Sequence, residues 1–189
     1  LEALKSEFLE LAAENQDFPI GAGDWLRIHP KDRVKTSYTS WEFNQSTRRM
    51  PEFMAPGLGK QNNRVFMDIE IGDNANGVLY ALGGASGGIT VYLQDGYLTY
   101  LYNMLIIEQY KLTTDEPIAA GKHQIEVETK IPGPGKSGTV VIKVDGKGVG
   151  TLELKRTVPG VFTASETFDV GVDLGSTVSL NYADLRPFE

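Results

Sequence analysis

Gly83 to Leu112, GGASGGITVYLQDGYLTYLYNMLIIEQYKL, is the stretch that decides how this chain folds. Two apolar runs, Ile89 to Leu93 and Tyr97 to Asn103, flank Asp95-Gly96, and a third, Leu105 to Leu112, follows almost at once. Asp-Gly between alternating apolar residues marks a hairpin, because glycine takes the positive φ that a tight two-residue turn demands. The side chains are mostly β-branched and aromatic, which suit a pleated surface better than a helix. The segment reads as the middle of an antiparallel sheet, around which other strands must pack.

Upstream, Val65, Met67, Ile69 and Ile71 alternate with Phe66, Asp68 and Glu70, the period of a strand with one wet face. Residues 73–77, DNANG, turn the chain into a further strand from Val78 to Leu82. Downstream, His123, Ile125, Val127, Thr129 and Ile131 alternate with Gln124, Glu126, Glu128 and Lys130, until PGPGKSG breaks the run at Pro132 to Gly138. Val140, Ile142 and Val144 then lead to a second Asp-Gly turn at Asp145-Gly146, answered by Val149, Leu152 and Leu154. Phe162 to Val172 is expected to supply a last strand, and Val34 to Phe43 an early one, with a proline-bracketed loop from Met50 to Gly59. Strands spaced roughly 8 to 12 residues apart, each followed by turn chemistry, indicate an all-β fold: an antiparallel two-sheet sandwich.

One short N-terminal amphipathic helix precedes it. Over residues 1–16, Leu1, Leu4, Phe8, Leu11 and Ala12 recur at helical spacing, and Asp17-Phe18-Pro19 stops the run. The chain thus divides into residues 1–20, a helix and connector, and 21–189, a single sandwich domain. The apolar stripe of the helix needs cover, either from the sheet or from a neighbouring domain. A start at Leu1 rather than Met reads as a piece of a longer, processed protein whose leader has been lost.

Composition narrows the function classes. At 189 residues with net charge −7, the chain has neither basic stripe nor arginine-rich arm, which argues against nucleic-acid and anionic-membrane partners. No run approaches the roughly 18 apolar residues of a membrane span. The absence of cysteine excludes disulfides, thiolate metal sites and a cysteine nucleophile together.

Chemistry-bearing motifs are sparse. His29 and His123 lie far apart, with no metal-ligand spacing. Gly133 to Gly138 ends in the Gly-Lys-Ser of a phosphate loop. Lys130 stands where that motif needs glycine, and strand-like sequence lies on both sides, so it reads as a hairpin connection. Asp68 with Glu70, and Glu126 with Glu128, share strand faces, but no third carboxylate completes the E-x-D-x-x-E arrangement of lectin-like glycosidases. Alternating acids of this kind are solvated surface. Asp169, Asp173 and Ser176 in FDVGVDLGS offer the oxygen ligands of a structural calcium site; the competing reading is that the aspartates cap loop amides. Trp41 is a candidate stacking surface for a sugar ring, with Arg48, Arg49, Lys60 and Arg64 as the lining for a sulfated or neutral glycan. The tyrosines of the central sheet cannot form one platform, since Tyr100 and Tyr102 share a face that Tyr97 does not.

The segments GVLYALGGASGGITVYLQDGYLTYLYNML, DEPIAAGKHQIEVE, GTVVIKVDGKGVGTLELKRTVPGVF and ETFDVGVDLGSTVS resemble, in the same order, the C-terminal region of large bacterial arylsulfatases. The leader LEALKSEFLELAAENQDFPI resembles the helix that follows the catalytic domain there. The resemblance implies a lectin-like or laminin-G-like sandwich of jelly-roll type appended to an alkaline-phosphatase-like catalytic domain, and a periplasmic or secreted protein. Sulfatase chemistry itself needs a formylglycine made within C/S-x-P/A-x-R. This chain holds no such motif, and Ser46-Thr47-Arg48-Arg49 has the wrong spacing. The expectation is a non-catalytic accessory domain partnered by the sulfatase catalytic domain of the same parent chain. The alternative is a carbohydrate-binding module.

Overall fold

The computed structural model describes residues 1–15 and 38–182. The chain forms two compact units, Leu1–Ser40 and Trp41–Glu189. In the first unit, helix α1 spans Glu2–Glu14 and ends on Asn15, whose side-chain amide donates to the Leu11 carbonyl at 2.8 Å. Leu1, Leu4, Phe8, Leu9 and Leu11 are all at least half exposed; Ala12 is the buried residue of the helix. The Asp17-Phe18-Pro19 stop, His29 and the early part of the expected Val34–Phe43 strand lie outside the described residues.

The second unit is an antiparallel β-sandwich. Its strands are β1 (Met50–Pro51), β2 (Asn63–Ile71), β3 (Gly77–Gly84), β4 (Gly87–Gln94), β5 (Tyr97–Met104), β6 (Glu108–Thr113), β7 (Gly121–Lys130), β8 (Gly138–Val144), β9 (Lys147–Leu154) and β10 (Thr167–Val170). They form a six-stranded sheet in the order β1-β10-β3-β4-β5-β6 and a four-stranded sheet in the order β2-β7-β8-β9. Every pairing is antiparallel. Residues 38–43 are not in a strand, and β10 is much shorter than the expected Phe162–Val172. Residues 162–166 instead form a loop held by Glu52, whose two carboxylate oxygens accept the backbone N–H groups of Phe162 (2.7 Å) and Thr163 (2.9 Å).

Both Asp-Gly pairs turn as expected. Asp95 and Gly96 have φ of 52° and 81°, and Asp145 and Gly146 have 51° and 77°. Aspartate and glycine tolerate this left-handed region, and the resulting turn matches the twist of the flanking strands. The β5–β6 connection adopts positive φ too, at Leu105 (52°) and Ile106 (64°), where no residue favours it. Buried Asn103 holds it there: its side-chain oxygen accepts the Ile106 N–H at 3.0 Å, and its amide donates to the Ala85 carbonyl at 3.0 Å.

The main core lies between the sheets. Ile89, Val91, Leu93, Leu98, Tyr100 and Tyr102 from β4 and β5 meet Ile125, Val127, Val140 and Ile142 from β7 and β8. Parity works as expected in the four-stranded sheet, whose outer face carries the charged residues. It fails in β3, β4 and β5, which are buried on both faces almost throughout. The reason is a second, smaller cluster on the outside of the six-stranded sheet. Val78, Ala81, Tyr92 and Leu101 pack there with Val178 and Tyr182, and the Tyr92 and Tyr182 rings meet edge to face at 4.8 Å.

Candidate functional site

The sequence nominated Trp41, Arg48, Arg49 and Arg64 as one ligand-binding lining, and the fold separates them. Trp41, Arg48 and Arg49 lie in the segment leading into β1, the edge of the six-stranded sheet. Trp41 is 41 % exposed, and both arginines are exposed. Arg64 stands on the outer face of the other sheet. Its Nε lies 3.1 Å from Glu126 and a terminal nitrogen 3.2 Å from Glu128, and this guanidinium holds the Glu128 carboxyl below its ordinary range. Lys130 and Lys143 complete the ladder, at 3.5 Å from Glu128 and 3.2 Å from Glu126. Arg64 is therefore part of a solvated ion-pair network, the reading the alternating acids of β7 suggested.

Arg49 has a distinctive backbone. Its φ of 55° is uncommon for a non-glycine residue, and its N–H donates to Asp169 Oδ1 at 2.6 Å. Asp169 is 1 % exposed, and its other oxygen accepts the Thr167 hydroxyl at 2.8 Å. Thr47 reinforces the clamp by accepting the Val170 N–H at 3.0 Å, and the Phe43 ring rests on Phe168 at 5.0 Å. The segment is thus tied to β10 from both sides, leaving the Arg48 and Arg49 guanidinium groups outside. Among the described residues neither is paired with a carboxylate. Sequence reasoning missed the clamp because its two halves lie 120 residues apart.

Asp169 and Asp173, the oxygen ligands the sequence offered for calcium, are engaged by loop donors. Calcium takes about six to eight oxygens in an open arrangement. Both oxygens of Asp169 already receive hydrogen bonds. Asp173 Oδ2 accepts the Val178 N–H at 2.8 Å and the Tyr182 hydroxyl in a very short bond. Among the described residues, no group of three or more histidine, aspartate or glutamate side chains could hold a metal ion. Asp173 Oδ1 is buried without a partner, and burial pushes this carboxyl up to about 6, with Asp169 and Glu166 adding repulsion. Ser176 donates to Glu166 at 2.6 Å and accepts the Ala85 N–H at 3.1 Å, which ties this loop to the β3–β4 turn. These acids are loop clamps, the competing reading of the sequence.

His123 is likewise structural. Nδ1 lies 2.7 Å from Asp145 Oδ2 and Nε2 lies 2.8 Å from the Ala119 carbonyl oxygen. Both partners are acceptors, so the doubly protonated ring satisfies both bonds, and the Asp145 hydrogen bond raises the imidazole pKa.

No family model matches the chain, and no curated protein does. Among solved structures it is similar to domains LG4-5 of the mouse laminin alpha1 chain, with 17 % identity, 68 % of this chain and 32 % of that one covered, and a TM-score of 0.47. The LG1-3 region of the laminin alpha2 chain matches at 12 % identity over 68 % of this chain and 25 % of that one, with a TM-score of 0.42. The receptor-binding domain of botulinum neurotoxin type G matches at 10 % identity over 60 % of this chain and 34 % of that one, with a TM-score of 0.33. The chain spans about a third or less of the length of these proteins.

Proposed function

We propose that this chain is a non-catalytic accessory domain of a larger sulfatase-like hydrolase, docking through helix α1 onto the catalytic domain of the same parent protein. The observation that carries the reading is the exposed apolar side of α1, with Leu1, Leu4, Phe8, Leu9 and Leu11 in solvent. A helix of 13 residues is marginal alone in water and is normally held by packing its apolar face. The sandwich, for its part, holds Glu52 and Asp169 in backbone clamps and Glu108, Glu126 and Glu128 in ion pairs.

The test is made in the parent protein. Leu4→Glu with Phe8→Glu is expected to lower the melting temperature of the catalytic domain and leave that of the sandwich unchanged. An unaltered catalytic domain, or a parent chain lacking C/S-x-P/A-x-R upstream, would overturn the reading. The second reading, a module for sulfated or neutral glycans, draws on the guanidinium groups of Arg48 and Arg49, which among the described residues meet no carboxylate, Arg48 donating only to the Gln45 carbonyl at 3.4 Å, in the clamped segment that also carries Trp41. A glycan array decides it: binding lost in Arg48→Ala with Arg49→Ala supports it, and an array without signal removes it.

A further inference from the structure

Among the described residues the sandwich has four sheet edges, and they are treated unequally. A free edge offers a row of backbone donors and acceptors to any other strand, and proteins blunt it with short strands, proline, lysine, bulges or cover. In the six-stranded sheet, edge β1 is two residues long and contains Pro51, and edge β6 is six residues long and carries Lys111. In the four-stranded sheet, edge β9 begins with Lys147 and contains Gly148 and Gly150, and its pairing with β8 is interrupted by a register shift at Ile142/Lys143. Gly150 also presses on Leu112 of β6, where an added Cβ would stand 2.8 Å from the leucine.

Among the described residues, edge β2 carries no proline, lysine or bulge and is covered by no further strand. It runs nine residues, NRVFMDIEI, without proline, glycine or lysine, and its register with β7 is unbroken from Asn63 to Ile71. Among the described residues β7 is its only strand partner. Its inward residues Val65, Met67 and Ile69 are apolar and half-buried, so no charge points inward to repel an incoming strand. Its outward residues are Arg64, Phe66, Asp68 and Glu70, all exposed, with Phe66 at 54 %.

We infer that β2 is a homodimerisation edge, at which a second copy of this chain adds its own β2 antiparallel to form one continuous eight-stranded sheet. The occupant follows from the pattern of charge. Pairing all nine residues antiparallel to themselves places Met67 on the two-fold axis. Arg64 then faces Glu70 of the second copy, twice; Val65 faces Ile69, and Phe66 faces Asp68 with the second Phe66 on the diagonal. Opposite charges across strands and aromatic neighbours on the diagonal both stabilise a pair. The Arg64 guanidinium uses Nε and one terminal nitrogen within its own chain, which leaves donors for a further carboxylate. Glu70 is held only loosely by Lys122, at 3.9 Å, and its side chain is 73 % exposed. The seam is about 30 Å long at roughly 3.4 Å per residue.

Analytical ultracentrifugation of the full chain over a concentration series tests the inference, with a reversible monomer–dimer equilibrium expected. Glu70→Arg should weaken the dimer about tenfold by setting like charges face to face, and adding Arg64→Glu should restore it. The chain has no cysteine, so Met67→Cys gives a clean probe of register. Two copies on the axis lie within disulfide reach and should crosslink on oxidation, whereas Val65→Cys, about 13 Å from its own copy, should not. A monomer at every concentration, a dimer indifferent to Glu70→Arg, or equal crosslinking by the two cysteine variants overturns the proposal. Glu70 is exposed, so its variant remains decisive if Met67→Cys costs stability.

Discussion

Removing one oxygen from Tyr102 should destabilise the sandwich more than most whole side chains on its surface. The hydroxyl donates to the Gly59 carbonyl at 2.7 Å and accepts the Val158 N–H at 2.7 Å, joining two loops 99 residues apart in sequence (158 − 59). The residue is fully buried, Val158 is 2 % exposed, and burial raises the pKa of the phenol so that it stays protonated. Tyr102→Phe keeps the ring and its edge-to-face contacts with Phe162 and Tyr110, at 5.3 and 6.2 Å. What it removes is the partner of one buried donor and one buried acceptor. Each unsatisfied group costs about 1–3 kcal/mol, so the two together give a loss of roughly 2–6 kcal/mol. A space of about 10 Å³ lined by Gly59, Val158 and Phe162 is near the size of one water, and a water entering it would set the lower end of that range. In a domain of this size, at about 2–4 °C per kcal/mol, the loss corresponds to a fall in Tm of roughly 4–24 °C. Urea unfolding should show a lower midpoint at unchanged m, and hydrogen exchange should show the Val158 amide losing protection first. A loss below about 0.5 kcal/mol with Val158 still protected would refute the polar accounting on which the estimate rests.

Three further perturbations test separate features. Ile106→Gly should stabilise the fold by about 0.5–1 kcal/mol in thermal unfolding, because glycine relieves the left-handed strain at φ 64° while loosening the unfolded chain. The His123 imidazole should titrate above 6.5 in an NMR series, and Asp145→Asn should lower it. Since the folded-state pKa is the higher one, its contribution is complete below 6.5 and is lost as pH rises through the folded value, so wild type and His123→Gln should converge in stability at alkaline pH. Asp173 behaves in the opposite sense to an ordinary paired carboxylate. Its pKa is raised from 3.8 to about 6, so the folded state pays a penalty that is complete above about pH 6 and fades towards 3.8, and Asp173→Asn should flatten the urea midpoint against pH across that window.

Local chemistry explains which parts of the fold were legible. Asp95-Gly96 and Asp145-Gly146 announce their turns because positive φ is a preference of those residues themselves. Leu105-Ile106 makes the same kind of turn with residues that resist it, and the cause, Asn103 bridging to Ala85, is a tertiary contact. The inward register of Ile125, Val127 and Thr129 was legible because one face of β7 is wet. The double burial of β3, β4 and β5 was not, because its outer cover includes Val178 and Tyr182, supplied by sequence 70 residues or more downstream. The candidate site divides along the same line. Arg48 and Arg49 were visible as a pair, but Arg64 could be assigned to its ion-pair ladder only once β2 was laid beside β7 in register, opposite Glu128.

The acidic surplus acquires a different meaning from this accounting. The chain carries 25 Asp and Glu against 18 Lys and Arg, which at first invites a search for paired catalytic carboxylates. Three of the placed acids are instead committed through both oxygens to donors. Glu52 takes the amides of Phe162 and Thr163, Asp169 takes Arg49 and Thr167, and Asp145 takes Gln124 and His123. Each of these side chains uses both oxygens, and in each case at least one fixes the backbone of a loop or strand end that the sheet ladders leave unpaired. A carboxylate held in this way is fixed in orientation by the backbone it binds. Among the described residues, Asp173 combines a buried, unpartnered oxygen with a raised pKa, and its other oxygen holds Val178 and Tyr182. Its proton therefore bears on the C-terminal cover of the six-stranded sheet, the same packing that buries Tyr92 and makes the central strands two-sided.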